Sequence, residues 1–367
     1  MCDRVVIGPT MVSPHNSSGT DKRPVVLVTA VGAPPGLNAL RALVEIGEYD
    51  LIAADADSRS PGLYQFATEH VILPLASDVR AYVGALVSLV RTRSVKVIVP
   101  CIENEVAVLA QYRAELEAVG AKLLVPGADV VNIVTDKGAC TRIAQSNGID
   151  CPISQVLPAD SSSAERKTLL QQFLRLCPLP WIVKPIRGYG MKGITQVASL
   201  DEALAVACAT STELLVQELI PGQAGSMHLA GLLYDDHGRV VRRFSSRSIR
   251  TLYPSGGPAT AGVSLRRPDM LAATERLVGL VGAWTGPLNA EWMLDPRDRK
   301  LKFIEINPRM WGYGYLATGA GLNFPAGIVA LALGRDIGPD PGFREGVTLL
   351  RSVTDLIFST SPFELNM

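Results

Sequence analysis

The chain of 367 residues has no excess of either charge: 35 Lys and Arg balance 35 Asp and Glu. Nucleic-acid and membrane-surface binders draw affinity from basic patches, so this balance argues against both. Histidine is scarce, with four in all (His15, His70, His228, His237), and His-based catalysis has few candidates. The six cysteines (Cys2, Cys101, Cys140, Cys151, Cys177, Cys208) form no C-x-x-C pair and no Cys/His cluster. That pattern argues against a disulfide framework and a structural zinc site, and fits a reducing cytoplasm. No run of about 18 apolar residues exists to span a membrane. Residues 1–23, rich in Ser, Pro and Gly, lack the apolar core of about 7–15 residues that marks a signal peptide, and read as a disordered arm.

What is present is a chain long enough for two or three domains, 47% hydrophobic. Apolar runs of strand length at 24–32, 50–58, 95–105 and 121–127 alternate with helical patterns at 37–47 and 105–120. Strands alternating with helices predict a parallel sheet, a Rossmann-like layer over 24–127, with ligands at the carboxyl ends of its strands. A capped helix is expected at 135–148, and strands at 214–222, 227–234 and 239–248. A helix follows at 268–284, then a hairpin and a helical tail.

The most informative stretch is FIEINPR (Phe303–Arg309), with Glu305, Asn307 and Arg309 at alternate positions. On a strand these share one face. Upstream, LNAEWML (Leu288–Leu294) is joined to it by the turn-like DPRDRK, and a register centred on Asp298 sets Glu291 opposite Glu305. Carboxylates about 5 Å apart repel unless cations sit between them. Oxygen ligands of this kind suit Mg²⁺ near phosphates, and a guanidinium suits a polyphosphate.

Lys137 falls in the first turn of its helix, where anions are favoured. Lys184 ends a strand in WIVKPIRGYGMKG, and a loop with Gly188, Gly190 and Gly193 follows, of the kind whose N–H groups cradle phosphate. Lys192 adds charge there. VQELIPG (216–222) reads as a core strand or as an adenine-binding edge.

In order and spacing, TDKG, VKPIRGYGMKG, VQELIPG, NAEWML and FIEINPR resemble the ATP-grasp superfamily over about residues 24–335. Within it, SRSIRTLYPSGGPAT and NPRMWGYGYLATGAGLNFP make the chain similar to carboxylate–amine ligases such as the carbamoyl-phosphate synthase large chain. The resemblance implies an α/β ATP-grasp fold. Its parts are a Rossmann-like N-terminal domain (24–127), a central α+β lid subdomain (128–222) and a C-terminal α+β subdomain with the metal site (223–367).

It also implies roles. Lys137 and Lys184 hold the α- and β-phosphates. The loop with Gly188, Tyr189, Gly190, Lys192 and Gly193 closes over the triphosphate. Gln217, Glu218, Leu219 and Ile220 border the adenine. Glu291, Glu305 and Asn307 hold two Mg²⁺, with Mn²⁺ a substitute. Arg309 steadies the transferring phosphoryl group. Arg247 and Arg250, with Ser255, Gly256 and Gly257, face the acceptor carboxylate, and Glu103 and Glu105 line the substrate cleft. Family members often carry an acidic ribose ligand just past the Pro-Gly. Here Ala224 stands near that place, so the ribose falls to Gln223, Ser226 or His228. Trp311, Gly312, Tyr313 and Tyr315 follow the motif; a pocket wall and core packing are both open for the aromatic three, while Gly312 goes with Trp311 as a substrate candidate.

The implied activity is ATP-dependent activation of a carboxylate, an amino acid or related acid, as an acyl phosphate. An amine then displaces phosphate to give an amide or peptide bond. Small-molecule substrates and a homodimer are expected, without nucleic acid or membrane partners. One rival uses bicarbonate as the carboxylate. A nicotinamide dehydrogenase fits worse, because VGAPPGLNAL is not G-x-G-x-x-G. A non-catalytic nucleotide-binding protein is the third reading.

Overall fold

The computed structural model describes residues 22–67, 69–188, 192–222, 225–253 and 256–358. All but the last two residues of the expected N-terminal arm lie outside these. So do the site candidates Tyr189, Gly190, Gln223 and Ser255.

The first layer comprises β1 (Val25–Val28), α1 (Pro34–Val44), β2 (Asp50–Asp55), β3 (Glu69–Ile72), α2 (Val79–Arg93), β4 (Val95–Val99), α3 (Glu103–Gln111) and α4 (Arg113–Ala118). Its sheet is parallel in the order β3-β2-β1-β4. Val26, Leu27 and Val28 are fully buried, as a strand covered on both faces requires. The strand expected at 121–127 shrinks to one bridge between Lys122 and Val97. The fourth strand is instead β3, at the opposite edge, whose half-exposed EHVI gives little apolar pattern. The strand expected to reach Glu105 stops at Val99. Glu103 and Glu105 lie in the first turn of α3, where the helix dipole favours carboxylates.

Two helices, α5 (Ala128–Thr135) and α6 (Lys137–Ser146), lead into the second sheet. Although expected with the central subdomain, they pack on the C-terminal one. Val130, Val134, Cys140 and Ala144 share a core with Trp292, Phe303 and Ile306. The second sheet is antiparallel, in the order β5-β8-β6-β7. It consists of β5 (Ser154–Leu157), β6 (Trp181–Pro185), β7 (Thr195–Val197) and β8 (Leu214–Glu218), with α7 (Ser163–Leu176) and α8 (Leu200–Cys208). Ser162 and Glu165 form a reciprocal capping box at the start of α7.

The third sheet has the order β13-β12-β9-β10-β11-β14. Its strands are β9 (Met227–Tyr234), β10 (Val240–Tyr253), β11 (Gly256–Ser264), β12 (Gly286–Leu294), β13 (Leu301–Asn307) and β14 (Thr348–Leu350). The helices α9 (Pro268–Val281), α10 (Tyr315–Gly319) and α11 (Phe324–Ala332) complete the chain. On β9, Leu229 and Leu233 face a core shared with the first layer, while Ala230, Leu232 and Tyr234 face α9. The two faces of this sheet therefore do different work: one docks the first layer and carries the cleft, the other packs on helices. No helix among the described residues is long and apolar enough to cross a membrane.

Candidate active site

The β12–β13 ladder places Glu291 opposite Glu305 and Asn289 opposite Asn307. Just beyond Glu291 the register slips, Trp292 pairs with Phe303, and Ile304 becomes the extra residue of a bulge. The strand ends at Asn307, because Pro308 cannot donate to a ladder. Arg309 thus reaches the carboxylate face through a turn, its N–H on the Asn307 carbonyl at 2.9 Å, and not by strand alternation as expected.

Three cations converge here. Lys137, the first residue of α6, sits 3.6 Å from Glu305 Oε2 and donates from Nζ to the Gly188 carbonyl at 2.7 Å. Asp136 caps that helix by accepting the Ala139 N–H, which fixes where Lys137 starts. Lys184, 4% exposed, donates to Gln217 Oε1 at 2.9 Å; Gln217 in turn donates to Ser154 Oγ at 3.0 Å. Burial lowers the Lys184 pKa to about 8, opposed by the charges of Glu305 and Glu291. Arg309 Nη2 donates to Glu103 Oε1 at 2.6 Å and to Asn307 Oδ1 at 3.2 Å, linking the first layer to the metal-type face across 206 residues. Burial raises the Glu103 pKa, and the Arg309 charge opposes that rise.

The opposed carboxylates are driven apart. Burial and the charge of Glu305 raise Glu291. Burial also acts to raise Glu305, but the ammonium groups of Lys137 and Lys184 outweigh it and hold its pKa below the usual value.

A cavity of about 220 Å³ opens between the first layer and this face. Its wall includes the Lys137–Glu305 pair, Glu103 and four residues to which sequence reasoning gave no role of their own: Asn104, Asn132, Thr135 and Arg187. Arg187 donates to Thr135 Oγ1 at 2.9 Å and to the Asn132 carbonyl at 3.3 Å. Its place at the root of the glycine loop is the one signal the sequence carries.

Other candidates lie elsewhere. Glu105 turns into the first layer's core, 6% exposed, and accepts the Thr29 hydroxyl at 2.5 Å; it does not line the cavity. His228 pairs with Trp292 in the ladder, and Trp292 packs against α9, so His228 occupies the face away from Glu291 and cannot hold a ribose beside it. Its Nδ1 lies 2.9 Å from the Ser226 carbonyl. Arg247 stands opposite His228, hence on that same far face. Arg250 donates to Thr260 Oγ1 at 2.9 Å on the neighbouring strand, with no contact to the carboxylates among the described residues. Gly256 and Gly257 open β11.

Trp311 is core. It stacks on Phe244 at 5.9 Å and closes over Gly231, where an added Cβ would lie 2.5 Å from the indole. The Gly312 carbonyl accepts Asn38 Nδ2 at 2.7 Å, away from the cavity. Tyr313 is buried beside Ser246, and the Tyr315 ring carries the Arg41 guanidinium at 4.0 Å; neither walls the cavity.

On the adenine edge, the Glu218 N–H is committed to the Ile153 carbonyl at 2.8 Å. The Glu218 carboxylate binds Arg297 and the Ile153 N–H. Leu219 donates its N–H to the Pro180 carbonyl at 3.3 Å, and Ile220 is buried. Gly193 lies at the far end of the loop, packed close to Pro185.

The donor set fits Mg²⁺. Among the described residues no three His, Cys, Asp or Glu side chains cluster as a metal site. Two carboxylates and an amide oxygen are what a Mg²⁺ shared with phosphates takes, since that ion keeps other oxygens from substrate and water. Burial and the neighbouring Glu305 charge raise Glu291, and a cation between the two carboxylates would offset the second of these.

Residues 28–124 match the family described as the PylC-like N-terminal domain. The chain is 25% identical over 170 residues to mitochondrial acetyl-CoA carboxylase of Saccharomyces cerevisiae, a match covering 44% of this chain and 7% of that protein. Among solved structures it is similar to a biotin carboxylase from Campylobacter jejuni in complex with a β,γ-ATP ligand, with TM-score 0.67 and 16% identity over 88% of this chain and 74% of that one. It is also similar to an L-amino acid ligase from Bacillus licheniformis, with TM-score 0.63 and 16% identity over 85% and 74%. These likenesses establish the fold: an N-terminal Rossmann-like layer joined to an ATP-grasp architecture, as the sequence resemblance implied.

Proposed function

We propose that this chain is an ATP-dependent carboxylate–amine ligase. It activates an amino acid or related small acid as an acyl phosphate and joins it to an amine, releasing ADP and phosphate. One observation carries the reading: Glu291 and Glu305 are opposed across a ladder, with Lys137, Lys184 and Arg309 converging on them. Bound Mg²⁺, held by Glu291, Glu305 and Asn307, would neutralise phosphate charge. Lys137 would exchange the Gly188 carbonyl for phosphate oxygens. Lys184, already desolvated and held by Gln217, would meet phosphate without further reorganisation. Arg309 would meet the transferring phosphoryl group. The chemistry needs positioning and exclusion of water more than covalent help from side chains.

An amino acid is favoured over bicarbonate by the cavity. Beyond the residues assigned to the phosphates and the metal (Lys137, Glu305 and Asn307), its wall carries Glu103, Asn104 and Asn132, polar side chains of α3 and α5 that an acid larger than bicarbonate would meet. The test is ADP release from Mg-ATP with amino acids supplied singly and in pairs, and hydroxylamine as a trap. Substrate-dependent ADP with a hydroxamate supports the ligase reading and names the acid. ADP release dependent on bicarbonate alone moves the chain to carboxylation. ATP binding without turnover under any pairing counts toward a non-catalytic nucleotide binder.

A further inference from the structure

Asn289 lies two residues before Glu291, is 1% exposed, and faces Asn307 across the ladder. Its Oδ1 accepts the Asn307 Nδ2–H at 2.9 Å. The same Asn307 nitrogen donates to Glu305 Oε1 at 3.2 Å. With both amide hydrogens engaged, the far end of the Asn307 amide is fixed. Its Oδ1 turns toward Arg309 Nη2, at 3.2 Å. The reverse orientation would set Oδ1 against the Glu305 carboxylate and the Asn289 oxygen, three acceptors with no donor among them. A hard cation takes an amide oxygen and rejects an amide NH₂. The kind of atom Asn307 offers to the cleft is therefore set by Asn289 together with Glu305 and Arg309, and the bond to Asn289 is the shorter of the two its Nδ2 makes.

A second observation concerns the other half of the Asn289 amide. Its Nδ2 is buried with no hydrogen-bond partner among the described residues. Leucine has a similar branched shape and would fill this space without burying an unsatisfied donor. Packing alone therefore disfavours asparagine here, and the one hydrogen bond its polarity makes at this face is to Asn307.

We propose that Asn289 is a positioning residue of the cation site, holding Asn307 so that its Oδ1 faces the cleft. This rests on the Mg²⁺-ATP reading above, and the experiment separates the two. Calorimetry would measure ADP binding as a function of Mg²⁺ for the wild-type protein, Asn289→Leu and Asn289→Asp, with a parallel series in EDTA and melting curves for each. In Asn289→Leu the Mg²⁺ needed for half-maximal ADP binding is expected to rise about tenfold or more, as for outer-sphere partners of metal ligands. Its metal-free ADP binding should be unchanged and its melting temperature equal or higher. Asn289→Asp keeps the accepting oxygen and is expected to need no more Mg²⁺ than the wild type. An unaltered Mg²⁺ requirement in the leucine variant overturns the proposal, as does an equal loss in the aspartate variant. A drop in melting temperature together with weaker ADP binding in EDTA would reduce Asn289 to a packing role and overturn it too. Wild-type protein whose ADP binding ignores Mg²⁺ would bring down the ligase reading, and this inference with it.

Discussion

Glu291 and Glu305 stand directly opposite each other on β12 and β13, yet their acidities move in opposite directions. Glu305 keeps its charge because Lys137 and Lys184 surround it. Glu291 is buried beside that charge and is driven toward neutrality. A like-charge pair this close is stable only with part of its charge removed or balanced. The ladder therefore carries one settled negative charge, at Glu305, beside a carboxyl pushed toward neutrality.

Glu305→Gln tests this arrangement. The substitution keeps the shape, removes the settled charge and leaves Lys137 and Lys184 without their counter-ion. ADP release is expected to fall by about 10²-fold or more, the scale of losing one preorganised electrostatic element. Circular dichroism should match the wild type. Near-normal turnover by a folded variant would remove Glu305 from the site.

Arg309→Ala tests the link between layers. The guanidinium is held by Glu103 at 2.6 Å and by Asn307 at 3.2 Å, with 17% of its side chain exposed. If it acts on the charge that develops during transfer, kcat should drop far more than ATP affinity. Deleting one partner of a largely buried pair should also cost stability, about 3 kcal/mol, because Glu103 is left uncompensated. A rise in KM for ATP at unchanged kcat would reassign Arg309 to ground-state binding.

Much of this site is legible in the sequence because it is local. The hairpin turn DPRDRK shows that the two strands pair, but the register beside it, with Leu294 opposite Leu301, would set Glu291 against Ile304 and not, as a register centred on Asp298 predicts, against Glu305; the bulge at Ile304 restores the expected pair. Likewise Asp136 announces the helix that carries Lys137. What the sequence does not carry is long-range. That Glu103 meets Arg309 depends on how the first layer docks on the third sheet, which no period encodes. The expected placements of His228 and Arg247 fail for a related reason. Both lie on strands of the right sheet, but a strand has two faces, and only the packing of Trp292 on α9 shows which one they occupy. Trp311 is ambiguous in sequence because a buried indole and a pocket wall share one composition; Gly231, 80 residues earlier, decides it.

Lys184 gives the site a pH signature. Burial lowers its pKa to about 8, so the free protein loses this charge as pH rises through that value. A bound phosphate favours the ammonium and moves the pKa back up. ADP affinity should therefore be level below pH 7, then fall by up to tenfold per pH unit above about 8. Lys184→Met should bind weakly at every pH and show no such slope. A wild-type affinity that stays flat to pH 9.5 would place no titrating lysine at the phosphates.

Glu105 provides the contrasting case, a titrating group that the cleft does not use. Burial raises its pKa from 4.5 to about 7, against the lowering effect of the Thr29 and Tyr82 hydroxyls and the Cys101 backbone N–H. For an acid raised on folding, the folded state binds the proton more tightly. This group's contribution is thus fully present below the unfolded pKa and is lost as pH rises through about 7. The loss is about 3 kcal/mol, since each pKa unit corresponds to about 1.4 kcal/mol. Glu105→Gln is neutral at every pH and can still accept the Thr29 hydroxyl at its amide oxygen. It should melt higher than the wild type at pH 8, match it near pH 4.5, and leave turnover unchanged. Melting curves at the two pH values, with ADP release measured at pH 8, check all three expectations. Lost activity in a stabilised variant would return Glu105 to the substrate cleft.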